Sequence, residues 1–213
     1  MAIQRIQSED CSVANLFQSF YAVPDYQREY VWDTDQVQQL LKDVREEMGD
    51  GAAHDAPEYF IGSIVVCPGQ EDVLDLIDGQ QRMTTLYITL CAIRDRLSEL
   101  GSQPSSVLNA QIADATVDSL GEERRLYRLE LQYEDSGDAL TCLADGNPIE
   151  TPSTQSMRNI LNAHHVVTRF LSSEFGQDPA AIRRLYGYLT NKVKLIRIQT
   201  EDVAKALKIF ETI

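Results

Sequence analysis

Two short segments of the chain combine side chains of the kinds that bind phosphate groups. The first is Asp78-Gly79-Gln80-Gln81-Arg82, which precedes the hydroxyls of Thr84 and Thr85. It lies between a β-rich run and a long apolar pattern of helical period. A strand that turns through a glycine into a helix directs backbone amides toward an anion, and the helix N-terminus adds about half a positive charge. Arg82 would add a cation in the first helical turn, so this segment predicts a phosphate site.

The same residues also fit a purely structural arrangement. Asp78 would cap the helix, Arg82 would fold back on Asp78, and the two glutamines would face solvent. The segment lacks the glycine richness of a P-loop. From the residues alone, a phosphate site and a structural turn therefore both remain open.

The second segment runs from Pro24 to Trp32, between a predicted strand and a predicted helix. It holds Gln27, Arg28, two tyrosines and the single tryptophan of the chain. A structural interpretation places Tyr30 and Trp32 in the core and pairs Arg28 with a neighbouring carboxylate. Composition alone favours that interpretation, because single arginines in loops are usually solvated.

The charge of the chain limits what it can bind. The formal net charge is −14, and residues 1–100 hold 7 Lys and Arg against 18 Asp and Glu. A field of this sign repels a phosphate backbone at long range, which argues against sequence-blind DNA binding. A local anion site is still compatible with it.

Metal, disulfide and membrane sites find little support in the sequence. The four cysteines are scattered without a CxxC pair, which fits reduced thiols. His164 and His165 are adjacent and so point about 100° apart on a helix, and His164 is interpreted as a satisfied core histidine. The chain has neither an apolar run long enough to span a bilayer nor a signal peptide. We therefore expect a cytoplasmic protein without membrane contact.

Apolar periodicity predicts the elements that position the two segments. They are, in chain order, a short helix at 12–19, a strand at 20–23, a helix from Thr34 or Asp35 to 48, strands at 59–66 and 73–77 joined as a hairpin, a long helix that starts after Gly79, a strand at 126–131, a helix after Asp178-Pro179, a strand at 193–198 and a helix from Glu201.

These elements predict an α/β fold with a small mixed sheet flanked by helices. We expect a single domain over residues 1–213, with the two motifs in an α/β part at 1–100 and a mainly helical part with a returning strand at 101–213. The last apolar helix reaches Ile213 without a cap, so we expect the natural polypeptide to continue on the C-terminal side.

Four motifs in this order resemble the N-terminal domain of GmrSD type IV restriction enzymes, a family of the ParB/sulfiredoxin-like α/β superfamily. They are Tyr26-Gln27-Arg28-x-Tyr30-x-Trp32, Tyr59-Phe60-Ile61-Gly62-Ser63-Ile64, Ile77-Asp78-Gly79-Gln80-Gln81-Arg82-Met83-Thr84-Thr85-Leu86 and the closing Ala206-Leu207-Lys208-Ile209-Phe210-Glu211-Thr212-Ile213.

The resemblance implies hydrolysis of GTP or another nucleoside triphosphate with Mg²⁺, in a sensor or switch domain that responds to modified phage DNA. The catalytic residues it implies are Asp78, Gln80, Gln81 and Arg82, and the nucleotide-binding residues are Gln27, Arg28 and Gly79. Thr84 and Thr85 are second candidates for a phosphate contact, and a structural role as hydroxyls at the N-terminus of the helix is the favoured alternative. Asp78 would hold Mg²⁺ or take a proton, and one of the two glutamines would align the water. Which glutamine does so stays open.

The resemblance also implies partners. The full-length protein would bind modified phage DNA, and a C-terminal nuclease domain or a partner subunit would cleave it. Two alternatives remain open at this point: a non-catalytic module that binds modified DNA or a partner protein, and a ParB-like domain that nicks DNA.

Overall fold

The computed structural model describes residues 6–51, 55–70, 72–117, 121–149, 151–201 and 203–204. Its strands are β1 (Gln7–Ser12), β2 (Phe20–Val23), β3 (Tyr59–Pro68), β4 (Val73–Asp78), β5 (Ala113–Val117), β6 (Glu123–Tyr127), β7 (Leu129–Leu131) and β8 (Val193–Gln199). Its helices are α1 (Val13–Leu16), α2 (Thr34–Met48), α3 (Gln80–Glu99), α4 (Ser106–Ala110), α5 (Ala139–Asp145), α6 (Gln155–Phe175) and α7 (Pro179–Asn191), with a short 3-10 helix at Glu134–Ser136.

The central sheet has six strands in the order β1-β8-β3-β4-β2-β7. β2 runs parallel to both β4 and β7, and β8 runs parallel to β3, whereas the pairs β1/β8 and β3/β4 are antiparallel. Strands β5 and β6 form a separate antiparallel pair. The predicted α/β class with a mixed sheet and a mainly helical later half is therefore confirmed.

Side chains on β3 alternate between two buried clusters, as period-two geometry requires. Ile64 and Val66 face the large core under the helices, while Val65 and Cys67 face a small cluster on the opposite side. Helix α3 lies at the centre of the large core, where it packs against α5, α6 and α7. Fourteen of its 20 residues are buried, so the helix is fixed along most of its length.

Local signals in the sequence account for most helix ends. Asp178 caps α7 with Pro179 in the first turn, as predicted. Helix α2 is capped by Asp33 in a capping box with Gln36, so the predicted caps Thr34 and Asp35 are wrong by one or two residues. The predicted helix at 12–19 is only a four-residue turn, because the chain leaves it for β2 after Leu16.

The strand predicted at 126–131 is wrong as a single element. It consists of β6 and β7, which belong to different sheets. Between them lies Arg128, whose buried guanidinium donates to the carbonyls of Ala110 and Gln18 and pairs with Asp114 at 2.7 Å. These contacts turn the chain from one sheet to the other, and their partners lie too far away in sequence to be recognised by periodicity.

Strand β1 was not predicted, because its residues are mostly polar. It pairs with β8 at the sheet edge, where Glu9 forms a salt bridge with Arg197 at 2.7 Å. Of the helix predicted from Glu201, Val203 and Ala204 are helical and the rest lies outside the described residues. No helix within the described ranges is both long and apolar enough to cross a bilayer.

Candidate functional site

A cleft of about 370 Å³ opens at the edge of the sheet where β2 and β4 end. Because these neighbouring strands are parallel, their carboxyl ends meet at this edge, and the segments that follow them in sequence come together. The cleft is lined by Gln27, Arg28, Trp32, Ile77, Asp78, Gly79, Gln80, Gln81 and Arg82. Seven of the nine predicted site residues are among them, and the volume lies within the range of small-molecule sites.

The turn into α3 depends on Gly79. This residue has a φ of +86°, and a Cβ added to it would lie 2.6 Å from Cγ2 of Ile64. No side chain caps the N-terminus of α3, so the alternative in which Asp78 serves as the helix cap is wrong. The first backbone amides of a 20-residue helix are therefore left for another acceptor.

Arg82 is held beside the cleft by β3, which begins at the same edge. Its Nη1 donates to the carbonyl of Ser63 at 2.9 Å, so it does not fold back on Asp78. Gly62 makes room for the guanidinium, because a Cβ there would lie 3.0 Å from Cζ of Arg82. Gly62 is thus a residue of the site that the sequence analysis missed. Its motif was visible, but the contact with Arg82 spans 20 positions and needs the strand pairing to be known.

Arg28 is exposed at the rim of the cleft. None of the salt bridges among the described residues involves Arg28 or Arg82, so the predicted pairing of Arg28 with a neighbouring carboxylate is wrong. Two arginines without a carboxylate partner in the described residues therefore face one cleft of an acidic chain.

The two glutamines of the motif have different surroundings. Gln81 is buried, and its Oε1 accepts hydrogen bonds from the backbone N–H of Val31 at 2.9 Å and of Trp32 at 3.2 Å. Its Nε2 donates to the carbonyl of Glu29 at 3.0 Å. Gln80 is also buried and lines the cleft, but within the described residues its amide has no hydrogen-bond partner.

Thr84 and Thr85 are not brought to the cleft. Both side chains are buried in the core, with exposures of 1% and 0%. Oγ1 of Thr85 donates to the carbonyl of Gln81 and is 2.8 Å from the hydroxyl of Tyr30. The expected contact of these two hydroxyls with a phosphate in the cleft therefore does not fit the structure.

Tyr30 anchors the loop that carries Arg28 and Trp32. Its backbone N–H donates to the hydroxyl of Tyr133 at 3.1 Å, and its carbonyl accepts from Nδ2 of Asn159 at 2.9 Å. Burial raises the pKa of Tyr30 far above its usual value, so the side chain is a neutral phenol throughout the physiological range. The prediction that Tyr30 lies in the core and anchors this segment is confirmed.

Comparison with known families decides where this arrangement belongs. The model of the GmrSD restriction endonuclease N-terminal domain matches residues 13–213. The chain belongs to this family. A search of curated protein sequences finds no match.

Membership of the GmrSD N-terminal domain family confirms the resemblance found in the sequence and supports a role in a DNA restriction system, and so in defence. The match spans the strands and the helix that form the cleft. The relation to the ParB/sulfiredoxin-like superfamily stays a prediction.

The side chains that line the cleft fit Mg²⁺ only if a bound phosphate supplies further oxygen ligands. Asp78 is the one carboxylate that lines the cleft, and the described residues contain no group of three or more His, Cys, Asp or Glu that could hold a metal. Mg²⁺ in phosphate-transfer sites is commonly held by one or two carboxylates together with phosphate oxygens and water. Asp78 therefore fits the role of a single protein ligand.

His164 lies outside the cleft and differs from its prediction as a satisfied core histidine. It is partly buried on α6, and its Nε2 has no hydrogen-bond partner although it is shielded from solvent. The nearest carboxylate is that of Asp95 on α3, at 4.0 Å. Burial lowers the pKa of His164, against an opposing effect of Asp95.

Proposed function

We propose that the cleft binds a nucleoside triphosphate with Mg²⁺ and hydrolyses it, so that the domain acts as a nucleotide-driven switch in its restriction system. The observation that supports this most strongly is the meeting of Arg28, Arg82 and the uncapped N-terminus of α3 in one cleft. Two guanidinium groups and the positive end of a helix repel one another when they share a cleft, and a bound anion would relieve that repulsion.

The cationic groups would bind the phosphates. Guanidinium groups donate two parallel hydrogen bonds to phosphate oxygens, and Arg82 keeps further N–H groups beyond the one bonded to Ser63. The backbone amides of the first turn of α3 would add donors at the positive end of the helix. Phosphoryl transfer depends chiefly on such positioning and charge neutralisation.

The remaining lining residues would complete the site. When bound, Mg²⁺ neutralises charge on the phosphates, and Asp78 is placed to hold it. Trp32 and Ile77 form an apolar side of the cleft, which suits the base or sugar of a nucleotide. Detection of modified phage DNA, and cleavage by a nuclease domain or partner subunit, would involve the full-length protein.

Ligand-induced stabilisation tests this proposal. A nucleotide at about a hundred times its dissociation constant adds about 2.7 kcal/mol to the free energy of unfolding. For a domain of this size, the midpoint of thermal unfolding should rise by about 5 to 10 °C. The measurement is a thermal melt with each of four nucleoside triphosphates and Mg²⁺, for the wild type and for Arg28→Ala.

The wild type should be stabilised by at least one nucleotide, and Arg28→Ala should need a higher nucleotide concentration for the same rise. No rise with any of the four, together with a gel shift on modified DNA, would contradict nucleotide binding and favour a DNA-binding module. If the melting temperature rises equally for the wild type and the variant at every nucleotide concentration, Arg28 does not bind the nucleotide.

A further inference from the structure

We propose that the two adjacent glutamines of the cleft have separate tasks: Gln81 positions the loop that carries Arg28 and Trp32, and Gln80 is the glutamine that faces the nucleotide. The assignment to Gln80 rests on nucleotide binding in the cleft, as proposed above. The assignment to Gln81 concerns the protein without a ligand, so it can be tested separately.

The hydrogen bonds of Gln81 leave little capacity for a ligand. A side-chain amide has two N–H donors and an oxygen with two lone pairs. Oε1 of Gln81 already accepts from two backbone N–H groups, those of Val31 and Trp32, and Nε2 donates to the carbonyl of Glu29. An amide oxygen that orients an attacking water accepts a hydrogen bond from it, and Oε1 of Gln81 has no lone pair left for that bond.

Gln80 has the opposite character. Neighbouring side chains on a helix point about 100° apart, so Gln80 and Gln81 leave the helix in different directions. Gln80 lines the cleft, and its amide makes no hydrogen bond within the described residues. Both its donors and its acceptor are therefore available to a phosphate or to a water beside it.

The contacts of Gln81 determine where Arg28 lies at the rim of the cleft. Its three bonds hold the backbone at 29–32 against the first turn of α3, and Arg28 directly precedes that stretch. Tyr30 holds the same loop from the other side, through Tyr133 and Asn159. Loss of the Gln81 amide should therefore loosen the loop locally without unfolding the domain.

Matched substitutions at the two positions separate the tasks. Gln81→Met removes all three hydrogen bonds at similar size, and Gln81→Glu keeps an acceptor for Val31 and Trp32 but loses the donor to Glu29. Gln80→Met is the counterpart at the adjacent position, and Gln177→Met, in an exposed loop, is the control. Trp32 is the single tryptophan, so fluorescence that is excited at wavelengths beyond the tyrosine absorption reports on this loop alone.

Without ligand, Gln81→Met should shift the Trp32 emission to longer wavelength and lower its anisotropy. Gln81→Glu should give values between those of Gln81→Met and the wild type, and Gln80→Met should match the wild type. With nucleotide, Gln81→Met should raise KM about tenfold or more. The substitution leaves the N–H groups of Val31 and Trp32 without their partner, so the loop that carries Arg28 is no longer held in place. Gln80→Met should lower kcat about a hundredfold with a smaller change in KM.

The outcomes distinguish this inference from the proposed function. An unchanged Trp32 spectrum in both Gln81 variants would overturn the positioning role, whatever the nucleotide data show. A changed spectrum in a protein that binds no nucleotide would support the role of Gln81 and overturn the proposed function. If Gln81→Met loses kcat at unchanged KM while Gln80→Met keeps both, Gln81 is the glutamine that acts on the nucleotide, and the inference is wrong.

Discussion

Arg82 contacts backbone and not a carboxylate, and this determines what its removal should do. Arg82→Ala loses one hydrogen bond to the carbonyl of Ser63, a change worth about 1 kcal/mol, or about 2 to 4 °C in the midpoint of thermal unfolding. Its loss from the phosphates should lower turnover by about a thousandfold. Paired measurements of thermal unfolding and phosphate release check both parts.

Arg169→Ala is the matched control, because Arg169 is exposed on α6 outside the cleft. It should change neither quantity. A protein with Arg82→Ala that melts far lower, while its folded fraction hydrolyses nucleotide at the normal rate, would show that Arg82 has only a structural role.

The two glycines that flank α3 allow a second test at the same scale. Gly79 and Gly101 both have positive φ, but a Cβ at Gly79 would meet Ile64 at 2.6 Å, whereas nothing lies within 4 Å of one at Gly101. Gly101→Ala should cost about 1 to 2 kcal/mol for the left-handed backbone alone. Gly79→Ala should cost about 1 to 3 kcal/mol more, because of the added clash.

Denaturant unfolding of both variants measures the difference in the free energy of unfolding. Equal losses would mean that the contact between Gly79 and Ile64 does not restrict the turn. In that case, the positive φ alone would explain why position 79 needs a glycine.

Residue types drew attention to segments that the fold brings together, but they did not assign roles. Arg28 and Arg82 were singled out because arginine suits phosphate, and both line the cleft. It did not separate Gln80 from Gln81, because their difference lies in hydrogen bonds to Glu29, Val31 and Trp32 about 50 positions away. The threonine hydroxyls were predicted near the phosphate on helical proximity alone, but the helix turns them into the core.

At the scale of elements, the contact between α3 and α6 predicts a dependence of stability on pH. Burial lowers the pKa of His164 in the folded state, while Asp95 raises it and Arg94, Glu99 and His165 also lie nearby. The unfolded residue titrates near 6.5. As pH falls below that value, the unfolded chain binds the proton more readily than the folded one, so the free energy of unfolding decreases.

His164→Gln should therefore reduce the loss of unfolding free energy between pH 6.5 and pH 5. His165 is the exposed neighbour, and His165→Gln should lose as much unfolding free energy as the wild type. Denaturant midpoints over this range measure the slope. Identical slopes in all three proteins would show that His164 does not contribute to the pH dependence.

Elements with strong local signals were predicted well, and those that depend on distant partners were not. The Asp178-Pro179 start of α7 and the β3–β4 hairpin follow from neighbouring residues. The polar strand β1 exists because β8 offers it an edge. The parallel pairing of β2 with β4, which creates the cleft, joins segments about 50 positions apart, and the composition of neither segment indicates it.

At the scale of the whole molecule, we expect that residues 1–213 alone do not cleave DNA. The net charge is −14, and the described residues offer no set of three metal-binding side chains, whereas a two-metal mechanism needs ligands for both ions. Supercoiled plasmid, modified and unmodified, should stay intact in Mg²⁺ or Mn²⁺. Nicking that disappears in Asp78→Ala would instead make this domain a nuclease.

Phosphate release is the most direct measurement of the central claim, that the cleft at the ends of β2 and β4 hydrolyses a nucleoside triphosphate. The wild type is incubated with each of four nucleoside triphosphates and Mg²⁺, with and without modified DNA, beside samples in which Mg²⁺ is chelated. We expect release from at least one nucleotide, and no release after chelation. Absence of release from all four, with DNA present and with the folded state verified, would contradict the claim.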